Sequence, residues 1–338
     1  MVRLTALVAS ADHVCCRYRL AAFRPFLEKA GYQLELRPFP KGLHGWWQLG
    51  RDLSAADGVI WQRKLLSAWQ LYLVRRAARL LVYDFDDAVF LRDSYALKRL
   101  PSARRRWRFS AMVRAADVVV AGNTFLRDQA SRWTDTHRVH AVPTCVDSAR
   151  YPTANHVRAG DGVELIWVGS SSTLRGLERA RPLLEHIGRC RPGLSLKLVC
   201  DRFLQLRHLA VVPCAWSAAG ETAALATADI GVSWVPDDLW SRGKCGLKIL
   251  QYMAAGLPVV ANPVGVQAEL VRPGETGFLA ETPDQWAEAV GRLASDPELC
   301  RRLGQAGRRL VEDKFSVAAG AAKWLELLAG LREGRKTA

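Results

Sequence analysis

The chain alternates between short apolar segments and longer amphipathic ones. In residues 1–150 the apolar segments include RLTALVAS, YQLELRPF, DGVIWQR, RLLVYDFD and DVVVAGN, and the sequence between them has mostly helical periodicity. Short, nearly continuous apolar runs predict strands that are buried on both faces, and their alternation with helices is typical of a parallel sheet. The first part of the chain is therefore predicted to be a doubly wound α/β domain.

The same alternation begins again after a polar segment, YPTANHVRAGDG, whose composition is typical of a linker. The strands predicted after it include VELIWVGS, LSLKLVC, LAVVPCAW, DIGVSWV and LPVVANP, and a helix is predicted from about Leu177 to Arg189. We therefore predict two consecutive Rossmann-like α/β domains. The predicted boundaries are an N-terminal domain over 1–152, a linker over 153–162, a C-terminal domain over 163–315, and a helical tail over 316–338 for which packing against the N-terminal domain is one option.

The composition argues against several classes of protein. The 338 residues are 49% hydrophobic and 24% charged, which is typical of a globular protein that buries a core. The eight cysteines have no C-x-x-C spacing, so a disulfide scaffold or a zinc site is disfavoured and a reducing compartment is favoured. The N-terminal apolar run is too short for a signal peptide, and no segment approaches the ~18 apolar residues of a membrane span. We expect a cytoplasmic protein.

The positive charge is concentrated in the first half of the sequence. Residues 1–155 contain 25 Lys and Arg against 13 Asp and Glu, a net charge of +12, whereas residues 156–338 have a net charge of +3. Most of this excess lies in 92–114, which contains KRLPSARRRWRFSAMVR. Such a stretch favours a phosphate-bearing acceptor or an anionic membrane surface at the inner membrane face, and the alternative is a solvated helix face. Nucleic acid is the less favoured partner, because no recognition motif accompanies the charge.

Two turns that contain glycine and serine each follow a predicted strand and precede a helix. In SRGKCGLKILQYMAA, Lys244 and Lys248 flank a predicted helix start, and in IWVGSSSTLRG, Arg175 follows Gly169 near another. Helix N-termini with nearby cations bind anions, most often phosphate. Neither turn has the spacing of a P-loop or of a dinucleotide-binding motif. Together they predict a site for a nucleotide diphosphate, whereas either turn alone is also compatible with solvated charges.

The segment GLKILQYMAAGLPVVANPVGVQAELVRPGETGFLA resembles the nucleotide-sugar-binding signature of the family-4 retaining glycosyltransferases. WVGSSSTLRG, AADVVVAGNTFLRD and AVPTCVD resemble other segments of that family. The resemblance implies the GT-B fold, in which two Rossmann-like domains face a central cleft. It also implies transfer of a sugar from a nucleotide-diphosphate sugar to a hydroxyl of an envelope glycan, a lipid-linked acceptor or a small molecule. No cofactor and no essential metal are expected.

The resemblance also implies which residues form the site. The expected donor-binding residues are Gly169, Ser170, Ser171, Ser172, Trp216, Gly246, Leu247, Lys248 and Gln251, with core packing as the default interpretation of Trp216. The family's first phosphate-binding arginine falls on Ser170 and its lysine on Arg175. The expected catalytic residues are Asp86, Arg175 and Lys244, the last because it lies beside Gly243. Two glutamates of the family fall on Gly243 and Gln251; an amide can still bind ribose hydroxyls, but glycine offers no side chain. The absence of the first glutamate leaves a non-catalytic protein that binds a nucleotide sugar or a glycan as the alternative.

The segment YDFDDAVF ends a strand of the first domain. Asp84 and Asp86 have the D-x-D spacing that metal-dependent glycosyltransferases of another fold use. Within the resemblance, Asp86 takes the place of a histidine that faces the sugar, where a carboxylate could stabilise positive charge or position the acceptor hydroxyl. The alternative is that these aspartates pair with arginines of the same domain. The segment CCRYRL is predicted to be the turn after the first strand, where Arg17 and Arg19 could reach a phosphate or could be solvated charges at a helix start. The residues expected on the acceptor and phosphate side are Arg17, Arg19, Asp84 and Asp87, with Asn123 and Thr144 as weaker candidates.

Overall fold

The computed structural model describes residues 1–96, 100–157 and 162–336. The chain divides into two compact units, which are described separately. Unit 1 comprises Met1–Cys145, Asp238–Cys245 and Val317–Ala338, and unit 2 comprises Val146–Asp237 and Gly246–Ser316. The segment Asp238–Cys245 therefore belongs to unit 1, although it lies in the second half of the sequence.

The strands and helices alternate along most of the chain. The strands are β1 (Val2–Val8), β2 (Tyr32–Pro38), β3 (Gly58–Gln62), β4 (Leu81–Phe85), β5 (Val118–Ala121), β6 (Val139–Ala141), β7 (Val163–Val168), β8 (Leu194–Cys200), β9 (Ala210–Ala215), β10 (Ile230–Ser233), β11 (Val259–Ala261) and β12 (Gly277–Leu279). The helices are α1 (Val14–Arg19), α2 (Arg24–Lys29), α3 (Gly42–Ser54), α4 (Ala68–Ala77), α5 (Ala103–Ala115), α6 (Thr124–Ser131), α7 (Ser171–Arg179), α8 (Arg181–Cys190), α9 (Ala218–Ala226), α10 (Leu239–Arg242), α11 (Leu247–Ala254), α12 (Val266–Leu270), α13 (Pro283–Ser295), α14 (Pro297–Lys314) and α15 (Val317–Lys336).

The sheet of unit 1 is buried on both faces. Its strands are parallel, in the order β2-β1-β3-β4-β5-β6. Tyr83 and Phe85 of β4 pack in one apolar cluster, together with side chains of α3, α4 and α5. Val82, which points to the opposite face, packs in a second cluster with Leu27 of α2 and Trp324 of α15. Two-sided burial explains why these strands are apolar without alternation.

Unit 2 has a second parallel sheet, in the order β12-β11-β10-β7-β8-β9. Counted from β7, this is the order 3-2-1-4-5-6 of Rossmann domains. In each unit the strand order reverses beside the first strand, between β1 and β3 in unit 1 and between β7 and β10 in unit 2. We call these places the switch points. The predicted fold class, two doubly wound Rossmann-like domains, is confirmed.

Several local predictions differ from the structure. The helix predicted from Leu177 to Arg189 is two helices, α7 and α8, which meet at Ala180 because Pro182 begins a new first turn. The segment CCRYRL, expected to be a turn, lies mostly in α1. In the basic stretch, α5 begins only at Ala103, and residues 97–99 lie outside the described residues, as do residues 158–161 of the predicted linker and residues 337–338 of the predicted tail.

Within the described ranges, no helix is both long and apolar enough to cross a membrane.

Candidate functional site

The switch point of unit 2 contains a serine-rich turn, residues 169–173, which we call the serine turn. It follows β7 directly and begins α7, whose first turn is capped by the Ser170 side chain. The Ser170 and Ser172 hydroxyls lie 2.8 Å apart. A side chain at Gly169 would collide with the Trp167 ring and lie 2.7 Å from the Thr173 Oγ1, so glycine is required there. The sequence folds here into a compact turn with exposed hydroxyls.

The serine turn stabilises negative charge. The backbone N–H of Ser171 donates a hydrogen bond of 2.6 Å to an oxygen of Asp201, which follows β8. Hydrogen bonds from the side chain and the backbone of Ser171 lower the pKa of Asp201 below its ordinary value. The start of α7 thus already interacts with one carboxylate, as expected for a helix N-terminus.

Lys248 lies beside the serine turn. Its Nζ is 3.5 Å from the Thr173 Oγ1 and 3.8 Å from the centre of the Trp167 ring. Gly246, which precedes α11, has φ of +69°, and a side chain there would approach Leu270. The structure therefore brings together Lys248 and the serine turn, while Arg175 is exposed on α7 and Leu247 is half-buried at the start of α11.

Gln251 is buried, and its amide donates hydrogen bonds to a carboxylate that sequence reasoning missed. Its Nε2 lies 2.5 Å from the Glu221 Oε1 and 3.2 Å from the Tyr151 hydroxyl. The other oxygen of Glu221 accepts a 2.6 Å hydrogen bond from the Trp216 indole. Glu221 could have been noticed as the one acid in the otherwise apolar helix SAAGETAALA. The structure thus groups Gln251 and Trp216, two predicted donor-binding residues, around Glu221.

In unit 1, the predicted catalytic residue Asp86 belongs to a network of ion pairs. Arg63, directly after β3, lies 3.2 Å from an Asp86 oxygen and 2.5 Å from an Asp87 oxygen. The second Asp87 oxygen lies 3.0 Å from the Lys244 ammonium. Burial opposes the charged form of Arg63, but the attraction of Asp86 and Asp87 outweighs it and raises the pKa of Arg63. We call Arg63, Asp86, Asp87 and Lys244 the charge network.

Arg63 is a residue that sequence reasoning missed. Its φ is +59°, which is the left-handed region and is strained for a residue with a side chain. Its backbone N–H donates to the Asp84 carbonyl, so the strained position is held by β4. The available signal was a cation that follows the buried strand GVIWQ without a break.

Arg19 and Asp84 form a buried ion pair. The shortest distance between them is 2.6 Å, and their side chains are 1% and 0% exposed. Gln62 donates a further hydrogen bond to Asp84, and Arg19 donates one to the Val142 carbonyl. Burial opposes the charged form of Arg19, but the attraction of the Asp84 carboxylate is stronger, so the pKa of Arg19 is raised. The expectation that both residues face the acceptor or a phosphate is therefore not met, because each is enclosed and satisfied by the other.

The Asp238–Cys245 segment of unit 1 positions Lys244. Asn123 caps α6 through its side-chain oxygen, and its amide nitrogen donates to the Lys244 carbonyl at 3.0 Å. A Cβ on Gly243 would lie 2.8 Å from the Ala88 Cβ, so a glutamate does not fit at this position without a shift of the backbone. The structure gives Asn123 a structural role and places Lys244 in unit 1, whereas Lys248 and Arg175 lie in unit 2.

The remaining candidates of unit 1 are Arg17 and Thr144. Arg17 is half-buried on α1, with its guanidinium 5.5 Å from the centre of the Tyr18 ring, and Thr144 is buried. Within residues 1–96, 100–157 and 162–336, no group of three or more His, Cys, Asp and Glu side chains is arranged to hold a metal ion.

These features define a class of protein, a two-unit α/β protein with Rossmann-like sheets and polar switch points. Residues 154–296 match the family model of glycosyl transferases group 1. This match covers less than half of the chain and supports the resemblance to glycosyltransferases that the sequence shows.

Two curated relatives align with parts of the chain. The chain is 30% identical over 261 residues to alpha-maltose-1-phosphate synthase of Mycolicibacterium smegmatis, an alignment that covers 65% of each protein. It is 38% identical over 93 residues, which are 27% of this chain and 24% of the relative, to a GDP-mannose-dependent alpha-(1-6)-phosphatidylinositol monomannoside mannosyltransferase of the same organism. The chain thus spans less than two thirds of the length of these relatives.

Solved structures have the same fold over nearly the whole chain. Sucrose-phosphate synthase of Thermosynechococcus elongatus is similar with a TM-score of 0.72 and 17% identity, over 99% of this chain and 100% of that one. The Anabaena protein HepE in complex with UDP-glucose is similar with a TM-score of 0.69 and 16% identity, over 98% of this chain and 100% of that one. At this level of identity, the likeness establishes the fold.

Proposed function

We propose that the protein is a retaining glycosyltransferase that moves a sugar from a nucleotide-diphosphate sugar to an acceptor hydroxyl. The observation that carries the proposal is Lys248 beside the serine turn, at the switch point of the unit that matches the family. Ligands of doubly wound sheets bind at this position, and the turn stabilises negative charge on Asp201. HepE, which shares the fold, was solved with UDP-glucose.

In this proposal the protein stabilises the leaving group by electrostatics. The bond between the sugar C1 and the diphosphate oxygen breaks, and a bond between C1 and the acceptor oxygen forms on the same face of the sugar. The departing diphosphate takes the negative charge, which the ammonium of Lys248, the exposed Ser170 and Ser172 hydroxyls of the serine turn and the guanidinium of Arg175 stabilise. The acceptor hydroxyl transfers its proton to the departing diphosphate oxygen, which lies on the same face of the sugar, as the new bond forms.

Unit 1 supplies the acceptor side in this proposal. Asp86 is the carboxylate proposed to position the acceptor hydroxyl. One of its oxygens lies 3.2 Å from the Arg63 guanidinium, which fixes the position of the carboxylate. Glu221 and Gln251 are proposed to bind the nucleoside, since an amide held by a carboxylate has a fixed orientation. Lys244 is proposed to act through Asp87, as its partner in the charge network.

The test is release of nucleoside diphosphate from a panel of sugar donors, including UDP-glucose and GDP-mannose, without an added acceptor. We expect slow release with one donor. Lys248→Ala and Arg175→Ala should each lower it by about 10- to 1000-fold, which corresponds to ~2–4 kcal/mol of charge stabilisation. Lys314→Ala, an exposed lysine on α14, is the matched control and should retain the rate. Full activity of both variants would contradict the proposed phosphate site.

A second candidate function is a non-catalytic protein that binds a nucleotide sugar or a glycan. It is favoured by Gly243, where the family's first glutamate is absent and where Ala88 and Leu126 leave no space for a larger side chain. Donor binding without release of nucleoside diphosphate from any donor in the panel would support this candidate over the transferase.

We also propose that the protein acts at an anionic membrane surface, on a lipid-linked or envelope acceptor. Each Lys or Arg near such a surface contributes about 1 kcal/mol. Arg106 and Trp107 of α5 are exposed, the latter by 57%, and so are available for this contact. Salt-sensitive sedimentation with phosphatidylserine vesicles should be weakened when both are replaced by serine. Equal sedimentation of the variant and the wild-type protein would contradict the membrane proposal.

A further inference from the structure

The switch point of unit 1 opens into a cavity of about 630 Å³. It lies where the loops after β1, β2, β3 and β4 meet the first turns of α5. Binding sites for small molecules commonly measure about 300–1,000 Å³, so the cavity has the size of a ligand site. Its position beside β1 and β3 is the one at which doubly wound sheets bind ligands.

The wall of this cavity is strongly basic. The charged and titratable residues that line it are Arg63, Lys64, Arg104, Arg105, Arg108 and His13, and no carboxylate lines it among the described residues. The first turn of α5 contributes two of the arginines, so the positive end of the helix dipole adds to their charge. The positive side chains of this wall repel one another, and a bound anion would reduce this repulsion.

The cations of the wall are only partly compensated within the protein. Arg63 is balanced by Asp86 and Asp87 of the charge network. By contrast, the Arg105 side chain donates to the neutral Val89 carbonyl, and its pKa is lowered by burial and then by the nearby charge of Arg92, against a weaker attraction from Asp93. The pKa of Lys64 is lowered by burial as well. A bound anion would oppose both effects.

The helix α5 separates two sets of basic residues. Arg104, Arg105 and Arg108 have the spacing of one helical face and line the cavity, whereas Arg106 and Trp107 do not line it and are exposed. The basic stretch that the sequence presents as one patch is therefore divided between a cavity wall and an outer surface. This division provides a matched control on the same helix.

Several converging arginines fit a phosphate group better than a carboxylate. A phosphate monoester carries about −1.5 to −2 charges at pH 7 and three acceptor oxygens, whereas a carboxylate carries a single charge and two oxygens. Guanidinium groups bind phosphate oxygens in pairs, which gives geometric selectivity. Phosphate is accordingly the chemistry that this wall can neutralise most completely.

We propose that the cavity of unit 1 binds a phosphate group carried by the acceptor, so that the protein glycosylates a phosphorylated compound. That the bound compound is a sugar acceptor rests on the proposed function. Binding of phosphate in the cavity does not depend on it. The phosphate belongs either to a soluble sugar phosphate or to a lipid headgroup, and both present the same group to the same side chains.

The test measures binding of glucose 6-phosphate and of glucose by calorimetry at low salt. We expect binding of glucose 6-phosphate alone, weakened about tenfold or more in Arg104→Gln/Arg108→Gln, since a hydrogen bond to a charged group contributes roughly that factor. Arg106→Gln is the matched control and should stay within about twofold, as expected for an exposed cation outside the wall. Melting temperatures verify that each variant is folded.

Vesicles separate the two sources of phosphate. Sedimentation with phosphatidylcholine vesicles that contain phosphatidic acid, lost in the double variant and kept in Arg114→Gln, an exposed arginine of α5 outside the wall, would identify a lipid headgroup. Binding of glucose 6-phosphate would identify a soluble compound. The proposal is overturned if the wild-type protein binds neither probe through phosphate, or if Arg106→Gln weakens binding of glucose 6-phosphate as much as the double variant does. Donor cleavage without acceptor, measured on the same variants, reports separately on the proposed function.

Discussion

The two units have the same kind of sheet but hold their polar groups by different means. In unit 1, carboxylates face cations: Asp84 is paired with Arg19, and Asp87 lies between Arg63 and Lys244. In unit 2, the buried carboxylate of Glu221 accepts hydrogen bonds from neutral donors, the amide of Gln251 and the indole of Trp216. Opposite charges organise the first switch point, and neutral hydrogen bonds organise a cluster in the second unit.

The difference between the two units coincides with the part of the chain that matches the family model. The matched residues 154–296 lie within unit 2, and the charge excess of the chain lies in residues 1–155. Neutral donors suit the hydroxyls of a nucleoside, whose polar groups carry no net charge, whereas a set of fixed cations suits a charged compound. Unit 2 thus contains the part of the chain that matches the family model, and unit 1 contains most of the positive charge.

The largest expected effect concerns the buried pair of unit 1. Asp84→Asn should lower stability by about 3–5 kcal/mol, because it leaves the Arg19 charge buried without its partner. Hydrogen exchange of the β4 amides and the urea midpoint measure this loss in unit 1. Glu28→Gln breaks the exposed Arg24–Glu28 pair and, as the control, should cost at most about 1 kcal/mol. Equal stability of the two variants would show that burial does not distinguish these pairs.

Part of this organisation could be predicted from the sequence. The apolar strands, the serine turn after β7 and the start of α11 between Lys244 and Lys248 follow from local pattern, because strands, turns and helix starts depend on neighbouring residues. The partners of charged residues do not follow from it. Arg19 and Asp84 are 65 residues apart, and any of the arginines of the first half could have been the partner of Asp84.

The membership of Asp238–Cys245 in unit 1 could not be predicted either. The sequence presents the segment as a loop after β10, which is correct locally. Its assignment to unit 1 depends on close approach of Gly243 to Ala88 and on hydrogen bonds from Asn123, and these are tertiary contacts without a local pattern. Glu221 was missed for the same reason, since only the fold brings Gln251 beside it.

A smaller effect is expected in unit 2, where Gln251→Glu would place a second carboxylate against Glu221. We expect a loss of about 1–3 kcal/mol at pH 7, because the hydrogen bond is removed and like charges meet. Repulsion raises the pKa of such a pair above the unfolded value of about 4.3, so stability is lost as the pH rises through this range and is recovered below it.

Urea unfolding at pH 4 and pH 7 measures this dependence. The reciprocal variant Gln251→Glu/Glu221→Gln keeps one carboxylate and one amide and should regain most of the stability. If the single variant were as stable as the wild-type protein at both pH values, the amide of Gln251 would contribute nothing to the cluster, and the contrast between the units would be reduced to the ion pairs of unit 1.

The smallest expected effect is that of removing metal ions, for which we predict no change in donor cleavage after treatment with EDTA. The reason is that the aspartates of unit 1 already pair with protein cations. Asp84 is enclosed with Arg19, and Asp87 is bound by both Arg63 and Lys244. A divalent cation at these carboxylates would have to displace three protein cations or accept their repulsion at short range. Rates measured with EDTA and after addition of Mg²⁺ or Mn²⁺ test this. Strict dependence on either ion would mean that Asp84 and Asp86 exchange their arginine partners for a metal, and the charge network would then be a resting state of unit 1.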